Sequence, residues 1–230
     1  ESQLVAPGYG LVFPDHLHEP DAHHVSLATC ILAAQSPETF PEVAATVGDA
    51  LWAGDGARLN HLAEAHGRTA IGQAEAAVES GTQLRREMKH YSGAMFYYGG
   101  EWYWGADRFY LLEQRLAALG ADRQPERGLI APRPSVRLPQ QRDNKAFTLE
   151  FYASLRSPYT AVAFDRTVAF ARDAGITLEL RPVLPMVMRG VPATREKGMY
   201  IFMDAAREAH NAGVPYGNFY DPIGDPVRRC

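Results

Sequence analysis

The sequence predicts an α/β protein. Three observations carry that reading: a strand–turn–helix–strand succession over residues 147–181, a glycine turn between two aromatic strands at 95–104, and a run of helical segments from His23 to Lys89 without strand patterning. A chain of 230 residues is long enough to bury a substantial core. Its hydrophobic fraction of 46% and charged fraction of 22% are those of an ordinary globular protein. A net charge of −4 gives no nucleic-acid footprint, and no apolar run approaches a membrane span. No charged-then-apolar leader is present. Neither a nucleic-acid nor a membrane partner is therefore expected, and a cytoplasmic location is.

The helical block is read from its punctuation. His23 to Gln35 is periodic and contains Cys30 within the apolar run Leu27–Leu32. Ser36 as N-cap and Pro37 at the first helical position open a second helix that runs to about Trp52, where Gly54-Asp55-Gly56 breaks it. Ala57–Ala65 is a short helix before Gly67, and Ala70–Lys89 is a longer one weakened by Gly72 and Gly81. Met95–Tyr98 and Glu101–Trp104 flank Gly99-Gly100, a pair suited to a tight hairpin turn. Phe109, Leu112, Leu116 and Leu119 follow as the apolar face of a helix. Asp122–Asn144 holds four prolines and many charges with little apolar periodicity, and reads as a linker. Strand Phe147–Tyr152, helix Thr160–Ala174, strand Ile176–Arg181, a loop through Gly190-Val191-Pro192 and a helix from about Thr194 to Asn211 complete the chain.

Ser157-Pro158-Tyr159 stands between the first of those strands and its helix. Proline suits the first helical position, because its missing N–H would have had no partner there. Ser157 is thereby set at a helix N-terminus, where free N–H groups and the dipole favour negative charge. Two roles are open to it: a helix cap, or a hydroxyl donor to an anion such as a thiolate.

These residues carry a resemblance. Phe151-Tyr152 with Ser157-Pro158-Tyr159, then Leu180-Arg181-Pro182-Val183-Leu184, then a basic amphipathic helix, resembles the 2-hydroxychromene-2-carboxylate isomerase and kappa-class glutathione transferase group. That group belongs to the DsbA-like branch of the thioredoxin superfamily. The segment Ala94–Arg108, with two short strands and then Trp104-Gly105-Ala106-Asp107-Arg108, is similar to the part of the same family that closes its domain. The resemblance implies a thioredoxin-like mixed sheet with an all-helical insertion block. Here the closing half precedes the opening half, so the halves stand in permuted order.

An imperfect internal repeat agrees: Ala6–Asp15 echoes Val214–Pro222 at an offset of about 207 residues. The expected organisation is the closing half of a first DsbA-like unit over 1–120, a linker over 121–145, and the opening half of a second unit over 146–230. This describes an internal fragment of a tandem protein, with a natural circular permutant as the alternative. A linker of about 25 residues extends to roughly 80 Å, enough for the halves to close one sheet from Met95–Tyr98, Glu101–Trp104, Thr148–Tyr152 and Leu178–Arg181.

By the same resemblance the cofactor is glutathione. Ser157 is the catalytic residue, binding the glutathione sulfur, with Pro158, Tyr159, Gly93, Ala106 and Asp107 completing the cofactor site. Asp107 is placed to accept from the γ-glutamyl ammonium or to cap its helix, and Arg108 is expected to be structural. Arg181 and Arg189 are weaker candidates for an acidic substrate. The expected activity is isomerisation or transfer on an aromatic or other electrophilic small molecule, with a homodimer or pairing of tandem units as the assembly. Alternatives are a DsbA-type thiol–disulfide oxidoreductase and a non-catalytic binding domain. Cys30 and Cys230 form no Cys-x-x-Cys, which argues against the first.

One departure stands out. Ala94 occupies the place where the superfamily has a cis-proline opposite its active turn, so a trans bond or a shifted backbone is expected there. Asp15, His16, His18, Glu19, Asp21, His23 and His24 offer metal ligands on paper, yet their spacing matches no zinc signature, and no metal is expected.

Overall fold

Asp21 opens the first long helix: its carboxylate accepts from the backbone N–H of His23 at 2.8 Å and of His24 at 3.3 Å. The structure, a computed structural model, describes residues 2–12, 19–138, 140, 144–217, 220, 221 and 223–229. It divides into two compact units, Glu1–Lys89 and His90–Cys230.

The first unit is helical. A short helix α1 (Ser2–Val5) and a 3₁₀ turn (Ala6–Tyr9) precede α2 (Ala22–Ala33), α3 (Phe40–Trp52), α4 (Gly56–His66) and α5 (Ile71–Glu87). The helix expected to begin at Ser36-Pro37 begins at Phe40 instead. The Ser36 carbonyl accepts from Thr39 and Phe40 N–H at 3.2 and 2.9 Å, closing a separate turn, and Pro41 takes the first-turn position. Asp55 caps α4 by accepting from Arg58 N–H at 2.9 Å. Leu27, Ala28 and Ile31 of α2 meet Val43, Val47 and Ala50 of α3 and Leu59 and Leu62 of α4 in one buried cluster. Cys30 is buried as well, as its apolar run predicts.

The second unit holds all four described strands. β1 (Met95–Tyr98) and β2 (Glu101–Trp104) pair antiparallel, with Met95 opposite Trp104 and Tyr98 opposite Glu101. Gly99 at φ 55° and Gly100 at φ 85° both have the positive φ that a two-residue hairpin turn demands. A 3₁₀ turn, Ala106–Arg108, then leads into α6 (Phe109–Ala118). β3 (Thr148–Phe151) and β4 (Thr177–Leu180) are parallel and joined by the 17-residue helix α7 (Pro158–Ala174), the crossover that parallel pairing needs. Backbone bonds from Thr177 N–H to Phe147 O and from Val183 N–H to Ala153 O, at 3.0 and 2.8 Å, extend that pairing at both ends. Helices α8 (Arg195–Asn211) and α9 (Asp225–Arg228) follow.

The single four-stranded sheet expected from the sequence does not form. Among the described residues the strands make two separate two-stranded sheets, β1–β2 and β3–β4. Arginine side chains explain part of this on the hairpin. The Trp102 carbonyl accepts from Arg207 Nη2 at 2.7 Å. The Tyr98 and Gly99 carbonyls each accept from Arg115 at 3.1 Å, which braces the turn rather than the edge of the hairpin. On the other pair, Arg181 ties together Glu150 and Glu179, which face each other across the strands. Charges so placed discourage further strand pairing. The hairpin's aromatic residues are also less buried than alternation predicts: Tyr103 is buried, whereas Phe96, Tyr97 and Tyr98 stay exposed.

The backbone at Ala94 is trans, as at every described peptide, and its φ of 53° places it in the left-handed region just before β1. Proline locks φ near −65°, so Ala94→Pro is expected to lower stability by more than 1 kcal/mol, read from urea unfolding midpoints. The turn offers a paired test. A Cβ on Gly99 would lie 2.7 Å from Arg115 Nη2, whereas one on Gly100 would meet nothing within 4 Å. Both alanine variants carry the left-handed penalty of about 1–2 kcal/mol; Gly99→Ala also pushes Arg115 off the Gly99 and Tyr98 carbonyls and is therefore expected to be the more damaging of the two.

Candidate functional site

Ser157 has the capping geometry its neighbours dictate. It is the N-cap of α7, with φ −81° and ψ 119°, and Pro158 is buried behind it in the first turn. The Ser157 Oγ accepts from Thr160 N–H at 3.4 Å, beyond the usual range for such a bond. The cap is therefore weak, and the hydroxyl hydrogen is not used by that bond. Thr160 Oγ1 in turn accepts from Ser154 N–H at 3.3 Å, and Ser157 N–H donates to the Ser154 carbonyl at 3.0 Å. Arg156 is bound through two nitrogens to Asp221, at 2.6 and 3.0 Å, and this pairing holds the Asp221 carboxyl below the ordinary aspartate range. The turn before α7 is thus anchored on both sides of a half-exposed serine.

Asp107 and Ala106 lie exposed in the 3₁₀ turn ahead of α6. Asp107 is not the N-cap there; Gly105, at φ 51°, takes that place and makes no side-chain cap bond. Gly93 is exposed, with no atom within 4 Å of where a Cβ would stand, so the main chain beside it is open to approach. Arg181 is committed to Glu150 and Glu179, while Arg189 lies exposed at the end of the 3₁₀ turn Met186–Arg189.

Tyr159 is occupied in a way the sequence reading did not anticipate. Its hydroxyl donates to Asp204 Oδ2 at 2.7 Å. Asp204 is wholly buried on α8. The same carboxylate accepts from Arg108 Nε at 2.9 Å and Nη2 at 2.9 Å, and from the Tyr200 hydroxyl at 3.2 Å. One turn further along α8, the buried Glu208 accepts from the Tyr110 hydroxyl at 2.6 Å and pairs with Arg108 at 3.3 Å and with Arg133. Arg207 reaches Asp204 at 3.4 Å and lies 4.5 Å over the Tyr103 ring. Ser157 and Asp107, distant in sequence, are therefore two residues and one residue away from side chains bonded to a single carboxylate.

Sequence reasoning missed Asp204, Glu208, Tyr110, Tyr200, Arg133 and Arg207. A signal existed: Tyr200, Asp204, Ala205, Glu208 and Ala209 recur at helical spacing, so the two carboxylates share a face with small residues. The apolar content of α8 points the other way, because Met199, Phe202 and Met203 are exposed.

The remaining features lie apart from this constellation. A cavity of about 360 Å³ between α6 and residues 121–130 is lined by Leu116, Ala117, Leu129, Ile130, Arg123 and Arg127 among others, and by none of the predicted site residues. In the first unit, ligand atoms of Asp21, His23 and His24 lie within 4.8 Å of one another. The capping bonds of Asp21 account for that proximity. The residues 15, 16 and 18 of the same turn lie outside the described residues, as does Cys230. No described helix is long and apolar enough to cross a membrane. Comparison with protein-family models, curated proteins and solved structures finds no match to this chain.

The network's ionisation follows from its surroundings. Burial opposes charge on Arg108, and the bonds and charges of Asp204 and Glu208 outweigh it, holding the guanidinium protonated above its usual range. Burial, then the bond to Asp204 and its charge, push the Tyr159 hydroxyl up; burial and then the Asp204 charge do the same to Tyr200. Tyr110 is raised to about 12 by burial and then by Glu208. An unfolded tyrosine ionises near pH 10. Above that pH the unfolded chain releases protons that the folded chain retains. The stability these tyrosines contribute is thus complete below about pH 10 and is lost as pH rises toward the folded values. Unfolding midpoints measured between about pH 9 and 11 are expected to fall, and the combined Tyr110→Phe, Tyr159→Phe and Tyr200→Phe variant is expected to show a shallower fall.

Proposed function

We propose that this chain acts with glutathione as an isomerase or transferase on an aromatic or other electrophilic small molecule, in the manner of the 2-hydroxychromene-2-carboxylate isomerase and kappa-class transferase group that its sequence resembles. The observation that carries the reading is the β3–α7–β4 unit with Ser157 at the N-cap of its crossover helix and Pro158 behind it. Thioredoxin-like folds open with a parallel strand–helix–strand whose reactive turn stands at the helix N-terminus, and the likeness of β3–α7–β4 to that arrangement supports the reading.

In this reading the Ser157 hydroxyl donates to the glutathione sulfur, and the N-terminus of α7 adds a favourable field, so that the thiolate is preferred over the thiol. The thiolate then donates an electron pair to an electrophilic carbon. In a transferase the new C–S bond stays and the leaving group, halide for an aryl halide, departs with its bonding pair; in an isomerase the pair of a conjugated C=C bond shifts away, rotation follows, and the returning pair re-forms the double bond as the C–S bond breaks and glutathione is recovered. Asp107 accepts from the γ-glutamyl ammonium, and the open main chain at Gly93 runs beside the cysteinyl part. Pro158 fixes the turn. Arg189 is the freer of the two arginines for an acidic substrate.

A second reading, a binding domain without catalysis, is favoured by one finding: Ala94 at φ 53° and the separate hairpin sheet stand where the family has its cis-proline segment. A dithiol oxidoreductase is disfavoured, because Cys30 is buried and belongs to no Cys-x-x-Cys. Insulin reduction in the presence of dithiothreitol is accordingly expected to proceed no faster than in buffer.

Ser157→Ala separates catalysis from capping. In the intact protein, loss of a donor to a full or developing anion is expected to raise the barrier by about 2.7–4 kcal/mol. Loss of the cap lowers folding stability by only about 1 kcal/mol. Activity toward an aryl halide with glutathione, measured beside the unfolding midpoint, gives both numbers. Undiminished activity with a lowered midpoint would leave Ser157 a cap alone.

A further inference from the structure

We infer that Asp204 is a positioning residue for the proposed glutathione site, coupling the Ser157 turn to the Asp107 turn through Tyr159 and Arg108; this rests on the reading above. The two turns are about 50 residues apart in the chain and share no sheet. What joins them is one buried carboxylate. Oδ2 accepts from the Tyr159 hydroxyl at 2.7 Å and from Arg108 Nη2 at 2.9 Å, and Oδ1 accepts from Arg108 Nε at 2.9 Å. Arg108 therefore grips the carboxylate with two nitrogens, a planar arrangement that orients as well as binds. Tyr200, one helical turn earlier on α8, donates to Oδ1 at 3.2 Å and closes the remaining side.

A carboxylate with no exposure would be a poor choice if helix packing alone were required, because its desolvation offsets much of what the ion pair contributes. Its particular merit is directional. Tyr159 is the second residue of α7 and Arg108 is the last of the 3₁₀ turn before α6. Fixing both side chains on one group fixes the distance between Ser157 and Asp107, whose partners on glutathione lie at different parts of the same molecule. Glu208 supports the arrangement from Arg108's other side at 3.3 Å. Neither Asp204 nor Tyr159 acts on the sulfur; each sets where the groups that do will stand.

The test uses Tyr159→Phe, which removes one hydroxyl and leaves the ion pair intact, with Asp204→Asn beside it. Tyr103→Phe is the reference: that hydroxyl is also buried and bonded, but to Glu101 and Arg115. Amide hydrogen exchange is followed at residues 105–109, and reduced glutathione binding is followed by calorimetry. Tyr159→Phe is expected to speed exchange at 105–109 by about tenfold and to weaken glutathione binding by about tenfold, the scale of one hydrogen bond to a charged group. Tyr103→Phe is expected to do neither. Asp204→Asn, if folded, is expected to exceed Tyr159→Phe in both. Unchanged exchange at 105–109 in Tyr159→Phe, or an equal change in Tyr103→Phe, overturns the coupling whatever glutathione does. Coupled exchange in a wild-type chain that binds no glutathione overturns the glutathione reading and, with it, the positioning role.

Discussion

The ion pair between Arg108 and Asp204 is the constraint on which the second unit depends. Asp204 has no exposure and Arg108 little, so the carboxylate has no water to turn to and the guanidinium only a little. Removing one partner from a buried pair typically costs about 3–5 kcal/mol where the other is left uncompensated; here the Tyr159 and Tyr200 hydroxyls would still donate to Asp204, and Glu208 would still pair with Arg108. The surrounding hydroxyls of Tyr159, Tyr200 and Tyr110 have meaning only with the carboxylates in place. In turn the pair draws the 3₁₀ turn after the hairpin, the start of α7 and the middle of α8 together. Arg133, from the segment between α6 and β3, reaches the same cluster through Glu208.

The two units are held by different means. In the first, aliphatic side chains from α2, α3 and α4 form a cluster with no polar member. In the second, the buried side chains are largely alanines and tyrosines with two carboxylates among them. An apolar cluster is tolerant of small shifts, since its attraction has no direction. A cluster of charged hydrogen bonds is not tolerant: each donor must meet its acceptor or leave a buried group unsatisfied. The second unit is thus the more exacting of the two in geometry, and it is the one that carries the candidate site.

That site has a division of labour. Ser157 and Asp107 are accessible and lightly bonded, as groups that are to meet a ligand must be. The residues just after them, Tyr159 and Arg108, are tied inward. The weak cap at Ser157, with its 3.4 Å bond to Thr160, belongs to the same pattern, since the turn is held by Arg156, Ser154 and Pro158 rather than by the hydroxyl itself.

Much of the local structure was legible in the sequence because local chemistry decides it. Gly99-Gly100 specifies its turn, since two consecutive positive φ values suit few other pairs. Ser157-Pro158 specifies a helix start. Strand–helix–strand patterning gave away the parallel pair at 148–180. What the tertiary structure alone decided is which faces and edges are used. Met199, Phe202 and Met203 would be drawn inward by a count of apolar residues, yet Asp204 and Glu208 occupy the buried face of α8. A buried carboxylate is favourable only when partners meet it, and here Arg108, Tyr110 and Arg133 arrive from distant segments and Tyr159 from α7, a meeting that no local pattern records. The two strand pairs likewise matched one sheet in pattern. Whether strands join depends on what competes for their edges, and here the Arg207 guanidinium took the outward-facing Trp102 carbonyl that a further strand would have needed.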